Sequence, residues 1–265
     1  MKNQLDEMAR RLGPGHLDFD PIGHPRRYAA RADREVVALL SALFAYGNVR
    51  SMGAFLDSLL GALGPSPFET LSTCAPPERL PLYRFQTSAD VRAALRAVGA
   101  VLRKRGGLES AFSKTAGGAE EKLEAFASLL RKEARSSSAG VLHLLPLPSD
   151  GSACKRWWMF LRWVVRPDDG VDLGLWTCLS PRDLRIPVDT HVARIAFALG
   201  LVNRSTADRA FSIMLTESLR AFCPEDPTRY DFALAHLGIL GECPRRQVAS
   251  ICKACSLRPH CRLGK

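Results

Sequence analysis

The stretch Ile186-Pro187-Val188-Asp189-Thr190-His191-Val192-Ala193-Arg194-Ile195 opens a run of apolar residues at helical spacing that closes at Leu199-Gly200. Pro187 and Asp189 stand at its mouth. Asp189 is therefore predicted as the N-cap of a helix over about 190–199, its carboxylate beside free N–H groups and the positive end of the helix dipole. Gly200 suits the position just past the helix end. Locally, a capping role is sufficient. The same placement also keeps a carboxylate ionised where chemistry can use it, and the flanking sequence decides between the two.

Outward from this segment the chain reads as helices. Leu5 to Leu12 is a short amphipathic candidate, and Arg34 to Tyr46 is almost wholly apolar after its first turn, so it is predicted to be buried on most sides. Helices follow at about 50–63, 88–104 and 118–135, each set off by Gly- or Ser-rich loops. Beyond Gly200, Ser205-Thr206-Ala207-Asp208 resembles a capping box starting a helix to about Phe222. Asp226-Pro227 reads as N-cap and N1 of a helix carrying Asp231 and His236, both taken as structural. Alternating strand patterns are few and there is no internal repeat, so the fold class is all-α.

The 265 residues suffice for one large domain or two lobes. No apolar run reaches the roughly 18 residues of a membrane span, and the polar start is not a signal peptide, so a cytoplasmic protein is expected. A net charge of +10 and a pI near 9.5 favour an anionic partner, nucleic acid first. The tail from Cys243 to Lys265 holds six Lys or Arg and no acid. Of eight cysteines, Cys74, Cys154, Cys178 and Cys223 are scattered and read as small apolar fillers. The other four form Cys243-x8-Cys252-x2-Cys255-x5-Cys261. Without a secretion signal this spacing argues for metal or cluster binding: one C-x-x-C knuckle with long flanks suits a [4Fe–4S] cluster, with zinc the alternative.

A polar, proline-containing connection over 136–154 leads into Lys155-Arg156-Trp157-Trp158-Met159-Phe160-Leu161-Arg162-Trp163-Val164-Val165-Arg166. At helical spacing Lys155, Met159, Arg162 and Arg166 share one direction, while Trp158, Leu161 and Val165 point elsewhere. The cationic face reads either as a solvated side of a core helix or as the lining of a phosphate-binding cleft. Asp168, Asp169 and Asp172 then follow in a loop and are read as turn formers.

Taken together, Val188-Asp189-Thr190-His191 and the four-cysteine tail resemble the helix-hairpin-helix DNA glycosylases of the endonuclease III type. Those enzymes hold a catalytic aspartate in a V-D-T-H segment, and many end in a C-x6-C-x2-C-x5-C cluster loop. The first gap here is two residues longer. The chain is also similar, over most of its length, to a bacterial family of uncharacterised function, through Asp20-Pro21 with Arg27-Tyr28, Ala42 to Asn48, Lys155 to Trp176, Ile186 to His191 and Pro224 to Gly238. It departs from the enzymes at the hairpin, where Leu147-Pro148-Ser149-Asp150-Gly151-Ser152-Ala153-Cys154-Lys155 replaces the L-P-G-V-G-x-K form. Lys155 lies 34 positions before Asp189, a wide gap similar to that of the archaeal 8-oxoguanine glycosylases.

The resemblance implies a helical-barrel lobe over 33–185 with a divergent hairpin, and a second lobe from 1–32 plus 186–265 carrying the cluster loop. It implies a monomer, nucleoid-associated, acting on double-stranded DNA with a damaged base, flipped into a cleft between the lobes. Lys155 becomes the nucleophile that attacks C1′ and forms a Schiff base, and Asp189 stabilises the charge developing on the sugar. Arg156, Arg162, Arg166, Arg194, Arg245 and Arg246, with hairpin amides, are expected to grip phosphates. Trp176, Trp158 and Phe44 are either core residues or base-stacking rings. Cys243, Cys252, Cys255 and Cys261 are implied to hold a structural cluster. The competing readings are a non-catalytic nucleic-acid-binding protein of the same fold, which the altered hairpin favours, and a zinc scaffold without nucleic acid.

Overall fold

The computed structural model describes residues 1–17 and 20–263; Lys265, counted in the basic tail, lies outside them. The described residues form helices and short turns, with no β-strand among them beyond one isolated bridge between Tyr83 and Gln86. In chain order the α-helices are α1 (Lys2–Arg11), α2 (Gly23–Arg26), α3 (Arg31–Leu43), α4 (Val49–Leu63), α5 (Pro67–Thr73), α6 (Ser88–Arg105), α7 (Leu108–Ser113) and α8 (Ala119–Ala134). They continue with α9 (Ala139–Leu144), α10 (Lys155–Val165), α11 (Thr190–Ala198), α12 (Arg209–Arg220), α13 (Asp231–Ile239) and α14 (Ala249–Ala254). The all-α reading holds.

Local chemistry sets the boundaries. Asn48 caps α4 by accepting from the amides of Arg50 and Ser51, and α6 starts on a reciprocal box between Thr87 and Asp90. Asp189 accepts from the Val192 amide at 2.7 Å, as its position predicted, and Gly200 takes up φ +71° just beyond α11. Two boundaries differ from expectation. The cap of α12 is Asp208, which accepts from Phe211 N, so Ser205 to Ala207 lie outside the helix. Pro227–Tyr230 forms a 3-10 turn and α13 begins at Asp231, because the Asp226 carboxylate is engaged by Arg166 and by the Thr228 hydroxyl.

The buried apolar side chains fall into two clusters. One runs from Ile22 to Leu184 and centres on α3, packed against α10, and on α6, packed against α8 and α5. The other joins Leu5 and Met8 of α1, and Leu12 just past its end, to residues from Ile186 to Leu257, with α11 on α13 and α1 on α13. The passage between them falls at Leu184 to Ile186. The first 32 residues do not stay together: α1 belongs to the second cluster, while Ile22 joins the first and α2 packs on α3. Leu173 and Trp176 donate backbone bonds to Trp163 and Val164, which lays the loop after α10 along that helix.

Candidate functional site

α10 and α11 belong to different clusters, yet both start at one cleft of about 870 Å³. Lys155, the first residue of α10, and Asp189, the cap of α11, both line it. Lys155 Nζ lies 3.9 Å from Asp189 Oδ2. The Lys155 side chain is 34 % exposed and that of Asp189 19 %, so the pair is reachable from the cleft and partly shielded from water. Cys154 precedes Lys155 at φ +49°, a left-handed backbone that turns the chain sharply into α10.

The remaining cations divide. Arg162 and Arg166 do not form a phosphate-binding face, and that expectation is corrected. Arg162 is 3 % exposed; its Nε donates to Asp172 Oδ1 at 3.1 Å and its Nη1 to Asp231 Oδ2 at 2.6 Å. Arg166 donates from Nε to Asp226 Oδ2 at 2.8 Å and from Nη1 to Asp169 and Asp172. The helical periodicity was right, but the stripe meets the acids of the next loop and of α13. Asp168 and Asp169 also form the predicted turns, accepting from Gly170 N and from Val171 N and Asp172 N.

Arg156 does border the cleft, with Nη atoms donating to the carbonyls of Leu43 and His143. Arg194 points to the tail: it donates to Cys243 Sγ at 3.3 Å, to Cys243 O at 2.6 Å and to Pro244 O at 2.9 Å. It is a brace for the cysteine loop, which replaces the phosphate contact expected of it. Arg245 and Arg246 are exposed on that loop. The hairpin offers fewer amides than expected, because Ser149 N donates to Glu124, Asp150 N and Gly151 N to carbonyls of their own turn, and Cys154 N to Ser152 Oγ. Trp176, Trp158 and Phe44 are all core residues, at most 3 % exposed, and Trp176 Nε1 donates to Glu35.

Asp231 and His236, read from the sequence as structural, reach the cleft, and so do Asp20, Tyr46 and His143, to which the sequence assigned no role. Asp231 is the most informative. Burial pushes its carboxyl up to about 7, opposed by Arg162 and reinforced by the nearby Asp189. The signal was present as a lone acid at the start of an otherwise apolar helix, Asp231–Ile239.

The four tail cysteines are partly buried, and Cys243, Cys255 and Cys261 pack against the second cluster. Burial first, then the neighbouring Cys243, Cys261 and Cys252, raises the Cys255 thiol. The tail is also clasped to α11, with Arg262 N donating to Ala198 O at 2.7 Å. Four thiols in one neighbourhood are the donor type of an iron–sulfur or zinc site. Among the described residues no group of three or more His, Cys, Asp or Glu converges closely enough to hold a metal ion. Among the described residues no helix is long and apolar enough to cross a membrane.

An all-helical chain with a lysine–aspartate pair at the meeting of two helix starts is the class these features define. Within that class the chain belongs to the DUF2400 family, described as a protein of unknown function, which matches residues 20–240. No curated protein and no solved structure matches it.

Proposed function

We propose that this protein is a DNA base-excision glycosylase with AP-lyase activity on a damaged, oxidised base, its two clusters acting as the two lobes of a helix-hairpin-helix-like fold. One observation carries the reading: Lys155 and Asp189, 34 positions apart and on helices from different clusters, stand 3.9 Å apart on a cleft wall. Their types match the nucleophile and carboxylate that excision requires.

In this reading Asp189 takes a proton from the Lys155 ammonium and the freed amine attacks C1′ of the flipped nucleotide. The C1′–N bond breaks and its electron pair leaves with the base, which picks up a proton. Asp189 hands its proton to the departing base and, again a carboxylate, stabilises the positive charge on the sugar. The sugar ring then opens at C1′–O4′, O4′ gaining the proton that the lysine nitrogen gives up, and the Schiff base so formed acidifies the C2′ proton and permits β-elimination of the 3′ phosphate. Arg156 meets the strand at the cleft, and Arg245 and Arg246 meet the backbone beside the tail. Cys243, Cys252, Cys255 and Cys261 would hold a [4Fe–4S] cluster, with zinc as the alternative, which would cross-link the tail and take no part in the steps above.

Duplexes bearing 8-oxoguanine, oxidised pyrimidines or uracil test this with wild type and Asp189→Asn. Release of one base by wild type, reduced at least about a hundredfold in the variant, is the expected result. Salt-sensitive binding with no release from any duplex, unchanged by Asp189→Asn, would instead identify a non-catalytic nucleic-acid-binding protein.

A further inference from the structure

We propose that Tyr46, Phe85 and His143, together with the guanidinium groups of Arg84 and Arg156, form a subsite for one unstacked nucleotide of a nucleic-acid strand. The base lies on the rings and the phosphate between the arginines. The inference rests on the reading that the partner is nucleic acid and names how a strand is held beside the reactive pair.

Four separate segments build the cluster: the turn after α3, the loop before α6, α9, and the start of α10. The His143 ring lies 4.8 Å from both Tyr46 and Phe85, edge-on to each. Its rear is fixed, because Tyr83 donates to the Tyr46 carbonyl, Tyr46 donates to Gln86, and Gln86 is buried. Its front is open: Phe85 is 54 % exposed, and His143 and Arg84 are exposed with it. Tyr46, His143 and Arg156 line the same cleft as Lys155 and Asp189. The exposed rings of Phe85 and His143 suit a planar base, since every base presents a π-face.

Two positive charges stand beside these rings. The guanidinium carbons of Arg156 and Arg84 lie 5.2 and 6.0 Å from the Tyr46 ring centre. Among the described residues neither guanidinium meets a carboxylate; Arg156 donates only to backbone carbonyls. Loss of hydration first, then Arg156 and Arg84, holds the His143 imidazole well below its ordinary range, so the ring is uncharged at neutral pH. An anion between the two guanidiniums relieves this excess.

The backbone is arranged for the same contact. Arg84 sits at φ +57°, a conformation L residues seldom adopt. Gly47 sits at φ +89°, and a Cβ there would lie 2.3 Å from Arg84 Nη1. Gly47 thus clears the space that lets the Arg84 side chain lie across Tyr46.

The test uses a short single-stranded oligonucleotide carrying one 2-aminopurine, with binding read by anisotropy and stacking by loss of 2-aminopurine fluorescence. Wild type is expected to bind and quench. Phe85→Ala should bind about tenfold more weakly with less quenching. Arg84→Ala should lose affinity and show a shallower dependence on salt, by about one phosphate. Both side chains are exposed, and thermal melting checks that each variant stays folded. Wild-type affinity and quenching in folded Phe85→Ala and Arg84→Ala overturn the subsite, as does equal competition by a base-free polyphosphate. If no base is excised yet Phe85→Ala still weakens the oligonucleotide, the glycosylase reading falls and the subsite stands.

Discussion

Asp189 and Asp231 show how far the surroundings of a carboxylate decide its behaviour. Asp189 sits at a helix start, accepts from an amide and faces Lys155. Asp231 is buried and shares Arg162 with Asp172, so one guanidinium serves two buried acids and burial wins. The folded protein therefore keeps a proton on Asp231 that the unfolded chain gives up at ordinary carboxylate pH. A raised pKa contributes stability that is full below the unfolded value and is lost as pH rises through about 7. The urea midpoint of wild type should fall relative to that of Asp231→Asn between about pH 5 and pH 8; midpoints that stay parallel would show that Asp231 ionises normally. Asp189 and Lys155 were legible from the sequence because their places follow from capping and a short motif. Asp231, Tyr46 and His143 were not, since each owes its place to a contact between segments far apart in the chain.

At the scale of elements, α10 illustrates the limit of periodicity. Its stripe of Lys155, Met159, Arg162 and Arg166 was read correctly, yet a helical wheel does not say what the stripe meets. It meets water and Asp189 at one end, and at the other Asp172, Asp226 and Asp231. These pairs tie α10 of the first cluster to α13 and its approach in the second. Arg162→Met should therefore cost about 3–5 kcal/mol in urea unfolding, because two buried carboxylates lose a partner. A cost below about 1 kcal/mol would mean that the acids take up protons and repack without it. Helix ends were legible to within a residue or two where a cap or glycine marks them, as at Asn48, Asp189 and Gly200. Asp226 does stand as N-cap before Pro227, but of a 3-10 turn leading into α13 and without a side-chain cap bond, its carboxylate being held by Arg166, distant in sequence.

At the scale of the molecule, two hydrophobic clusters meet along a cleft, and the N-terminal helix crosses over to complete the second. The Cys243-to-Cys261 segment lies against that second cluster, braced by Arg194 and clasped by Arg262. Protein purified without oxygen should carry iron and acid-labile sulfide in equal amounts, and Cys252→Ser should lose both; stoichiometric zinc without iron would overturn the cluster assignment. Borohydride trapping on the damaged-base duplexes tests most directly the proposal that Lys155 and Asp189 excise a base through a covalent intermediate. A covalent protein–DNA adduct is expected with wild type and none with folded Lys155→Ala. An adduct that survives Lys155→Ala, or no adduct and no base release from any duplex, would contradict it.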